Sequence, residues 1–171
     1  GETILLVGAP EKWGTHLGQS ALLYEIFGQE DGPPPPVDLA HEKKTGEFVR
    51  GLIRDGLAAA VHDCSAGGLA LALAEMAMAS GIGAKIVTPP GQPLVAFFGE
   101  DQGRYVVTTA SGDADKVIAA AGDVSVLRIG TTGGDELKLG DTRPLAIGQL
   151  RERHESWFPR FMGPAQAEAA E

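Results

Sequence analysis

Residues 62–69 read His-Asp-Cys-Ser-Ala-Gly-Gly-Leu and lead directly into an apolar, alanine-rich stretch. This pattern predicts a loop that opens a helix. Gly67 and Gly68 let the backbone approach a ligand or a neighbouring strand closely. The first turn of the helix presents unpaired amide N–H groups that suit a phosphate, with Ser65 as an additional donor. In the alternative interpretation, Ser65 or Asp63 caps the helix and the two glycines permit tight packing of strand and helix.

Length and composition predict a single soluble domain. The chain has 171 residues, of which 43% are hydrophobic, and a chain of this size buries one good core. We expect the domain to span 1–163 and residues 164–171 to form a disordered tail. The net charge of −9 argues against nucleic acid and against an anionic membrane surface, since both would repel the chain. No apolar run reaches the roughly 18 to 20 residues that cross a bilayer.

The single cysteine, Cys64, cannot form an internal disulfide. We therefore expect a cytoplasmic protein, because the cytoplasm is reducing. Cys64 lies where a helix N-terminus would lower the pKa of a thiol, so it is either a nucleophile or a small buried side chain. The four histidines show no metal-ligand spacing, and we predict no metal site and no catalytic residue in this chain.

Hydrophobic spacing predicts strands that alternate with helices along the chain. The predicted strands cover 3–7, 58–62, 85–87, 94–98, 105–109, 124–129, 136–139 and 144–147. The predicted helices cover 19–27, 38–56, 70–79, 113–121 and 147–157, the first with an apolar face that includes Ile26 and Phe27, the last with Leu150 and Trp157 buried. A turn is expected at 130–134. The order predicts an α+β fold, a mixed β-sheet covered by helices.

A cluster of polar side chains follows the apolar run 94–98. Glu100, Asp101, Gln102 and Arg104 lie within five positions. Carboxylates accept hydrogen bonds from hydroxyls, an amide donates and accepts, and a guanidinium suits phosphate or carboxylate, so the cluster is a candidate ligand site. The alternative is a solvent-exposed hairpin tip or an internal Glu–Arg pair. Spacing alone does not choose between them.

Four segments of the chain together carry a family resemblance. HDCSAGGLALALAEMA at 62–77 is similar to HDxSDGGLxxALAEMA, and FFGEDQGRYVV at 97–107 is similar to a strand-turn-strand with the pattern FxExQxR. Residues 14–26, which begin with GTHLGQS, match an early glycine-serine loop, and residues 130–137 followed by LRERHESWFPRFM at 150–162 match a C-terminal end. In this order the segments resemble the C-terminal domain of the synthetase subunit of phosphoribosylformylglycinamidine synthases. Ala66 departs from the usual aspartate of that pattern.

The resemblance implies an enzyme that uses ATP and Mg²⁺ to activate the amide oxygen of formylglycinamide ribonucleotide, which ammonia then displaces to give an amidine. This chain resembles one domain of a longer subunit, so the catalytic residues belong to other domains and the isolated chain is expected to be inactive. The implied partners are those remaining domains, a glutaminase subunit and a small accessory subunit. Glu100 and Gln102 correspond to a substrate-contacting turn in the other copy of this domain.

Residue by residue, these considerations give a set of candidate contacts for phosphate or substrate: Ser65, Gly67, Gly68, Glu100, Gln102 and Arg104. Two alternative functions stay open. A related enzyme with the same type of domain, such as aminoimidazole ribonucleotide (AIR) synthetase, selenophosphate synthetase or thiamine-phosphate kinase, would keep the fold and change the substrate. A purely structural or interaction domain would bind no small ligand at all.

Overall fold

Seven strands form one mixed β-sheet in the computed structural model, which describes residues 1–163. The strands are β1 Thr3–Gly8, β2 Ala60–Asp63, β3 Ala84–Ile86, β4 Tyr105–Thr109, β5 Ser125–Thr132, β6 Glu136–Leu139 and β7 Leu145–Ala146. The helices are α1 Ala21–Phe27, α2 Leu39–Arg54, α3 Gly68–Ser80, α4 Pro93–Phe98, α5 Ala114–Ala120 and α6 Ile147–Met162. The tail predicted over 164–171 lies outside the described residues.

The strand order is β2-β4-β1-β5-β3-β6-β7. The pairs are antiparallel except for β3 with β6, which is parallel. β1 lies between β4 and β5, and all six of its residues are buried. The predicted α+β fold with a mixed sheet is therefore confirmed.

Helices cover both faces of the sheet, because successive side chains of a strand point to opposite faces. Ile4 and Leu6 of β1 pack in one core cluster with α3, and Leu5 and Val7 pack in a second cluster with α2 and α5. The chain is thus a three-layer sandwich with β1 at its centre. The loops that follow β1, β2 and α4 meet on one side, where the candidate site lies.

Residues 94–98 form helix α4, and their prediction as a strand was wrong. Pro93 is the first residue of the helix, where its fixed φ favours helical backbone and its missing N–H is not needed. Ala96 and Phe97 are the buried residues of this helix. A short apolar run does not distinguish a strand from a buried helical turn, which is why periodicity failed here.

Two strand predictions also needed correction. The predicted turn at 130–134 begins later, because β5 continues to Thr132. A Cβ at Gly130 would overlap the carbonyl oxygen of Lys85 on β3, so glycine permits this close pairing. β2 was expected to be buried, but it is the edge strand of the sheet, and its four residues are exposed or half-buried.

Two helices expose large apolar side chains. Trp157 of α6 was expected to be buried and is 60% exposed, whereas Leu150 packs against the core. Ile26 and Phe27 of α1 are 69% and 54% exposed, and α1 has no buried residue. None of the described helices combines the length and the apolar character that crossing a bilayer requires.

Candidate functional site

The glycine turn before α3 is built for a close approach between backbones. Gly67 and Gly68 both adopt left-handed backbone, with φ of +75° and +62°, which favours glycine. A Cβ at Gly68 would lie 2.5 Å from the carbonyl oxygen of Gly99, which directly follows α4. Neither Ser65 nor Asp63 caps the helix, since Gly67 is the N-cap residue and α3 has no side-chain cap. The turn therefore packs against the end of α4.

A carboxylate of this same chain occupies the turn. Glu100 Oε1 accepts hydrogen bonds from the N–H of Gly67 and from the N–H of Ala21, both at 2.8 Å. Ala21 is the first residue of α1, so one carboxylate joins the starts of two helices. A negative charge is favourable at this position because it faces the partial positive charge of the helix amides. Glu100 thus stands where sequence analysis expected a phosphate.

Arg104 is turned into the protein and is 1% exposed. Its Nε donates to the carbonyl oxygen of Asp101 at 3.0 Å, and its Nη2 donates to the carbonyl oxygen of Gly99. Within residues 1–163 its buried Nη1 has no hydrogen-bond partner. The guanidinium therefore binds backbone carbonyls of the segment that directly follows α4. It forms neither the exposed hairpin tip nor the Glu–Arg pair that the sequence left open.

Asp101 is fully buried and binds the loop that follows β1. Its carboxylate accepts from the N–H of Thr15 at 2.8 Å, from Thr15 Oγ1 at 2.7 Å, from the N–H of His16 at 3.2 Å and from His16 Nδ1 at 2.5 Å. Burial raises the pKa of Asp101, but the hydrogen bonds from His16 and Thr15 outweigh it, and the pKa lies below its ordinary value. Asp101 is therefore ionised near neutral pH.

The pairing of Asp101 with His16 was not predicted from the sequence. The two residues are 85 positions apart, so no spacing rule brings them together. The signal present in the sequence was that both lie in segments of the family resemblance, 14–20 and 97–107.

Two of the predicted site residues face solvent. Ser65 and Gln102 are exposed, whereas Gly67 and Gly68 are buried and Glu100 is half-buried. Gln102 Nε2 reaches the carbonyl oxygen of Glu100 at 3.5 Å, so its amide is otherwise free in the described part of the chain. The structure brings the two candidate segments together through Glu100. That these residues contact a phosphate stays a prediction.

Cys64 is buried against the same turn, with 5% of its surface exposed. Burial raises the pKa of its thiol to about 11, which outweighs the opposite effect of the nearby Arg104. The thiol is therefore protonated near neutral pH. Because the thiolate is the nucleophilic form, this supports the small buried side chain over the nucleophile.

Two cavities of residues 1–163 lie outside the glycine turn. One of about 430 Å³ lies between the loops 15–18 and 29–33. The other, of about 730 Å³, is a mainly apolar groove beside α3 and β2. Neither is lined by Gly67 or Gly68. Among residues 1–163, no group of three or more His, Cys, Asp or Glu side chains is arranged to hold a metal ion.

Curated relatives match nearly the whole chain. The synthase subunit PurL (phosphoribosylformylglycinamidine synthase) of Sinorhizobium medicae is 61% identical over 165 residues. The match covers 95% of this chain and 22% of that protein. The chain thus spans about a fifth of the length of such relatives.

Solved structures share the fold at low sequence identity. Thermotoga maritima PurL complexed with FGAR matches with a TM-score of 0.72 and 18% identity, over 88% of this chain and 28% of that chain. The same protein complexed with ATP matches with a TM-score of 0.67 and 18% identity, over 88% and 26%. The PurLQS structure from that organism matches with a TM-score of 0.65 and 18% identity, over 88% of this chain and 26% of that chain.

A family model provides the assignment. The model of the AIR synthase related protein, C-terminal domain, matches residues 1–141, well over half of the chain. The match includes every element from β1 to β6 and both segments that form the candidate site. This chain therefore belongs to the AIR synthase related proteins and is a C-terminal domain of that family.

Proposed function

We propose that this chain is one domain of an ATP-dependent ligase of purine biosynthesis. The ligase converts formylglycinamide ribonucleotide into its amidine with ammonia derived from glutamine. The observation that carries the proposal is the 61% identity to the Sinorhizobium medicae synthase subunit over 95% of this chain. Because the chain spans 22% of that protein, the complete active site requires residues outside it. We expect the isolated domain to be inactive.

The longer protein would use ATP and Mg²⁺. A structure of Thermotoga maritima PurL contains ATP, which supports the nucleotide. Phosphoryl transfer needs a metal ion and cationic or amide donors around the transferring group. Residues 1–163 hold no group of three or more acidic, histidine or cysteine side chains arranged for a metal ion. As the family resemblance implies, we expect the metal ligands of the proposed enzyme in the rest of the subunit.

The partners would be the remaining domains of the subunit, a glutaminase subunit and a small accessory subunit. The PurLQS complex of Thermotoga maritima supports such an assembly. The structure of T. maritima PurL complexed with FGAR supports formylglycinamide ribonucleotide as the substrate. A reducing compartment such as the cytoplasm fits a chain whose single cysteine is buried and protonated.

The candidate site residues would have two roles. The exposed side chains of Ser65 and Gln102 would contact phosphate or substrate directly. The others would hold the turn in shape through the hydrogen bonds and close contacts described above, and these are Gly67, Gly68, Glu100 and Arg104. A packing role for the whole turn is the second candidate, favoured because Glu100 already accepts from the Gly67 N–H.

A domain exchange tests the proposal. The matching 165 residues of the Sinorhizobium medicae subunit are replaced by this chain, and ATP-dependent amidine formation from formylglycinamide ribonucleotide and ammonia is measured. We expect the chimera to be active and the isolated chain to be inactive. A chimera that folds and binds its partner subunits yet forms no amidine contradicts the proposal.

Two variants of the chimera distinguish direct contact from packing. Ser65→Ala together with Gln102→Ala should raise the KM for a phosphorylated substrate if these side chains bind it. The matched control is Gln149→Ala on α6, an exposed glutamine far from the turn in sequence. Unchanged KM in the double variant favours the packing role.

A further inference from the structure

A shallow cavity beside His16, lined about equally by polar and apolar surface, forms a second candidate site, separate from the glycine turn. Its volume is about 430 Å³, and it lies between the loops 15–18 and 29–33, with Leu23 of α1 on one side. His16 is about one-third exposed at this cavity. The loops are held together by the N–H of Gln19, which donates to the carbonyl oxygen of Asp31 at 3.1 Å, and by its side-chain amide, which donates to the carbonyl oxygen of Gly32.

Asp101 fixes the tautomer of His16. The carboxylate is ionised and fully buried, and it lies 2.5 Å from His16 Nδ1. A lone pair on Nδ1 would face this anion at hydrogen-bond distance, which is repulsive, so Nδ1 carries the proton. When the imidazole is neutral, Nε2 is then a hydrogen-bond acceptor. In the described part of the chain no protein atom makes a hydrogen bond to Nε2.

The charge of the cavity favours a cation. Among its lining residues Asp31 is the only acid and there is no lysine or arginine. Asp31 Oδ1 accepts from the N–H of Gly32 at 2.7 Å, which leaves Oδ2 available in this exposed side chain. Leu17, Leu23 and Pro33 supply apolar wall next to these two acceptors. An acceptor nitrogen, a carboxylate and a short apolar surface match a donor-bearing cation on an alkyl chain.

We propose that this cavity binds a primary alkylammonium group, with His16 Nε2 accepting an N–H hydrogen bond and Asp31 supplying the opposite charge. The site goes beyond the proposed ligase function and does not depend on it. The same head group ends a free alkylamine and a lysine side chain, and the test separates these sources.

The test begins with the histidine. Long-range ¹H–¹⁵N spectra of the labelled chain at alkaline pH should show His16 with a proton on Nδ1 and none on Nε2. The chain is then titrated with n-butylammonium, n-butanol and tetramethylammonium, and the His16 ring and Asp31 resonances are followed. We expect n-butylammonium to bind and to shift Nε2. The other two probes should bind more weakly, n-butanol because it lacks the charge, which is worth up to about fivefold, and tetramethylammonium because it lacks N–H donors.

Variants show whether the named residues are responsible. Asp31→Asn should weaken n-butylammonium binding by about twofold to fivefold, since an exposed charge pair is worth up to about a factor of five. Glu30→Gln removes a neighbouring charge outside the cavity lining and should leave binding unchanged. Asp101→Asn should weaken binding, because without the carboxylate the proton of His16 is no longer held on Nδ1. Because removing the buried Asp101 carboxylate also destabilises the fold, the exposed Asp31 variant decides the test.

Four results would overturn the proposal: a proton on Nε2 in the free chain, no saturable binding of n-butylammonium, equal binding of tetramethylammonium, or an Asp31→Asn variant that binds as wild type does. Nα-acetyl-lysine amide identifies the source. Tighter binding than n-butylammonium supports a lysine side chain of a partner, and equal or weaker binding supports a free amine.

Discussion

Removing the Glu100 carboxylate should loosen the junction between α1 and α3. In wild type this carboxylate accepts the N–H groups of Gly67 and Ala21, both at 2.8 Å. Hydrogen bonds to a charged group contribute about 1.5–3 kcal/mol each, and coupled pairs do not add fully. Glu100→Ala leaves both donors without an acceptor, so we expect the free energy of unfolding to fall by about 3 kcal/mol. Glu100→Gln keeps a neutral acceptor and should cost about 1–2 kcal/mol.

Urea and thermal unfolding, followed by circular dichroism, measure these losses. For a chain of 171 residues, about 3 kcal/mol corresponds to a melting temperature lower by about 6–12 °C. The control is Glu152→Ala, an exposed acid on α6 with no ion pair among the described residues, which should change stability by less than about 0.5 kcal/mol. If Glu100→Ala unfolds within about 0.5 kcal/mol of wild type, its carboxylate does not hold the turn.

Three further outcomes are expected. Gly68→Ala should destabilise by at least about 2 kcal/mol in urea unfolding, from its positive φ and its contact with the Gly99 carbonyl, whereas Gly148→Ala, with open space around it, should cost nothing. The pKa of Asp101 is lower in the folded chain than in the unfolded chain, where it is about 3.9, and this difference stabilises the fold at pH values above about 3.9. The stabilisation is lost as the pH falls through the folded pKa. Urea midpoints measured from neutral to acidic pH should show this loss in wild type and not in Asp101→Asn. Cys64, with a pKa of about 11, should react with a thiol reagent about 100-fold more slowly than in the unfolded chain, and equal rates would contradict its burial.

The central strands and α3 could be predicted from the sequence because their signals are local. β1 and β4 are β-branched and apolar runs bounded by turn residues, and both are fully or mostly buried. The residues 67–80 combine paired glycines with a largely apolar stretch interrupted by Glu75, which indicates a mostly buried helix. The local pattern was sufficient to predict these elements because each of them is buried against several neighbouring elements.

The errors arose where tertiary context decides the outcome. Residues 94–98 are apolar in either a strand or a helix, and Pro93 settled the choice. Trp157 has a large apolar side chain that burial would favour, yet no element of the described chain covers that end of α6. The hydrophobicity of a residue does not show which other element of the fold packs against it.

The sequence predicted which segments form the candidate site but not the hydrogen bonds between them. Sequence analysis selected Glu100 and the glycine turn separately, because each has a suitable composition. The hydrogen bond between Glu100 and Gly67 spans 33 positions, and the pair of His16 with Asp101 spans 85. Contacts of this separation depend on strand order, which the sequence pattern did not determine.

The most direct test of a glycine turn closed by its own carboxylate is the response of the Gly67 amide proton to inorganic phosphate, measured by NMR in wild type and in Glu100→Gln. In wild type the Gly67 resonance should stay unchanged by millimolar phosphate, since Glu100 Oε1 already accepts this N–H. In Glu100→Gln the resonance should move upfield, because its charged acceptor is gone. A wild-type Gly67 resonance that shifts with phosphate to saturation would contradict the closed turn.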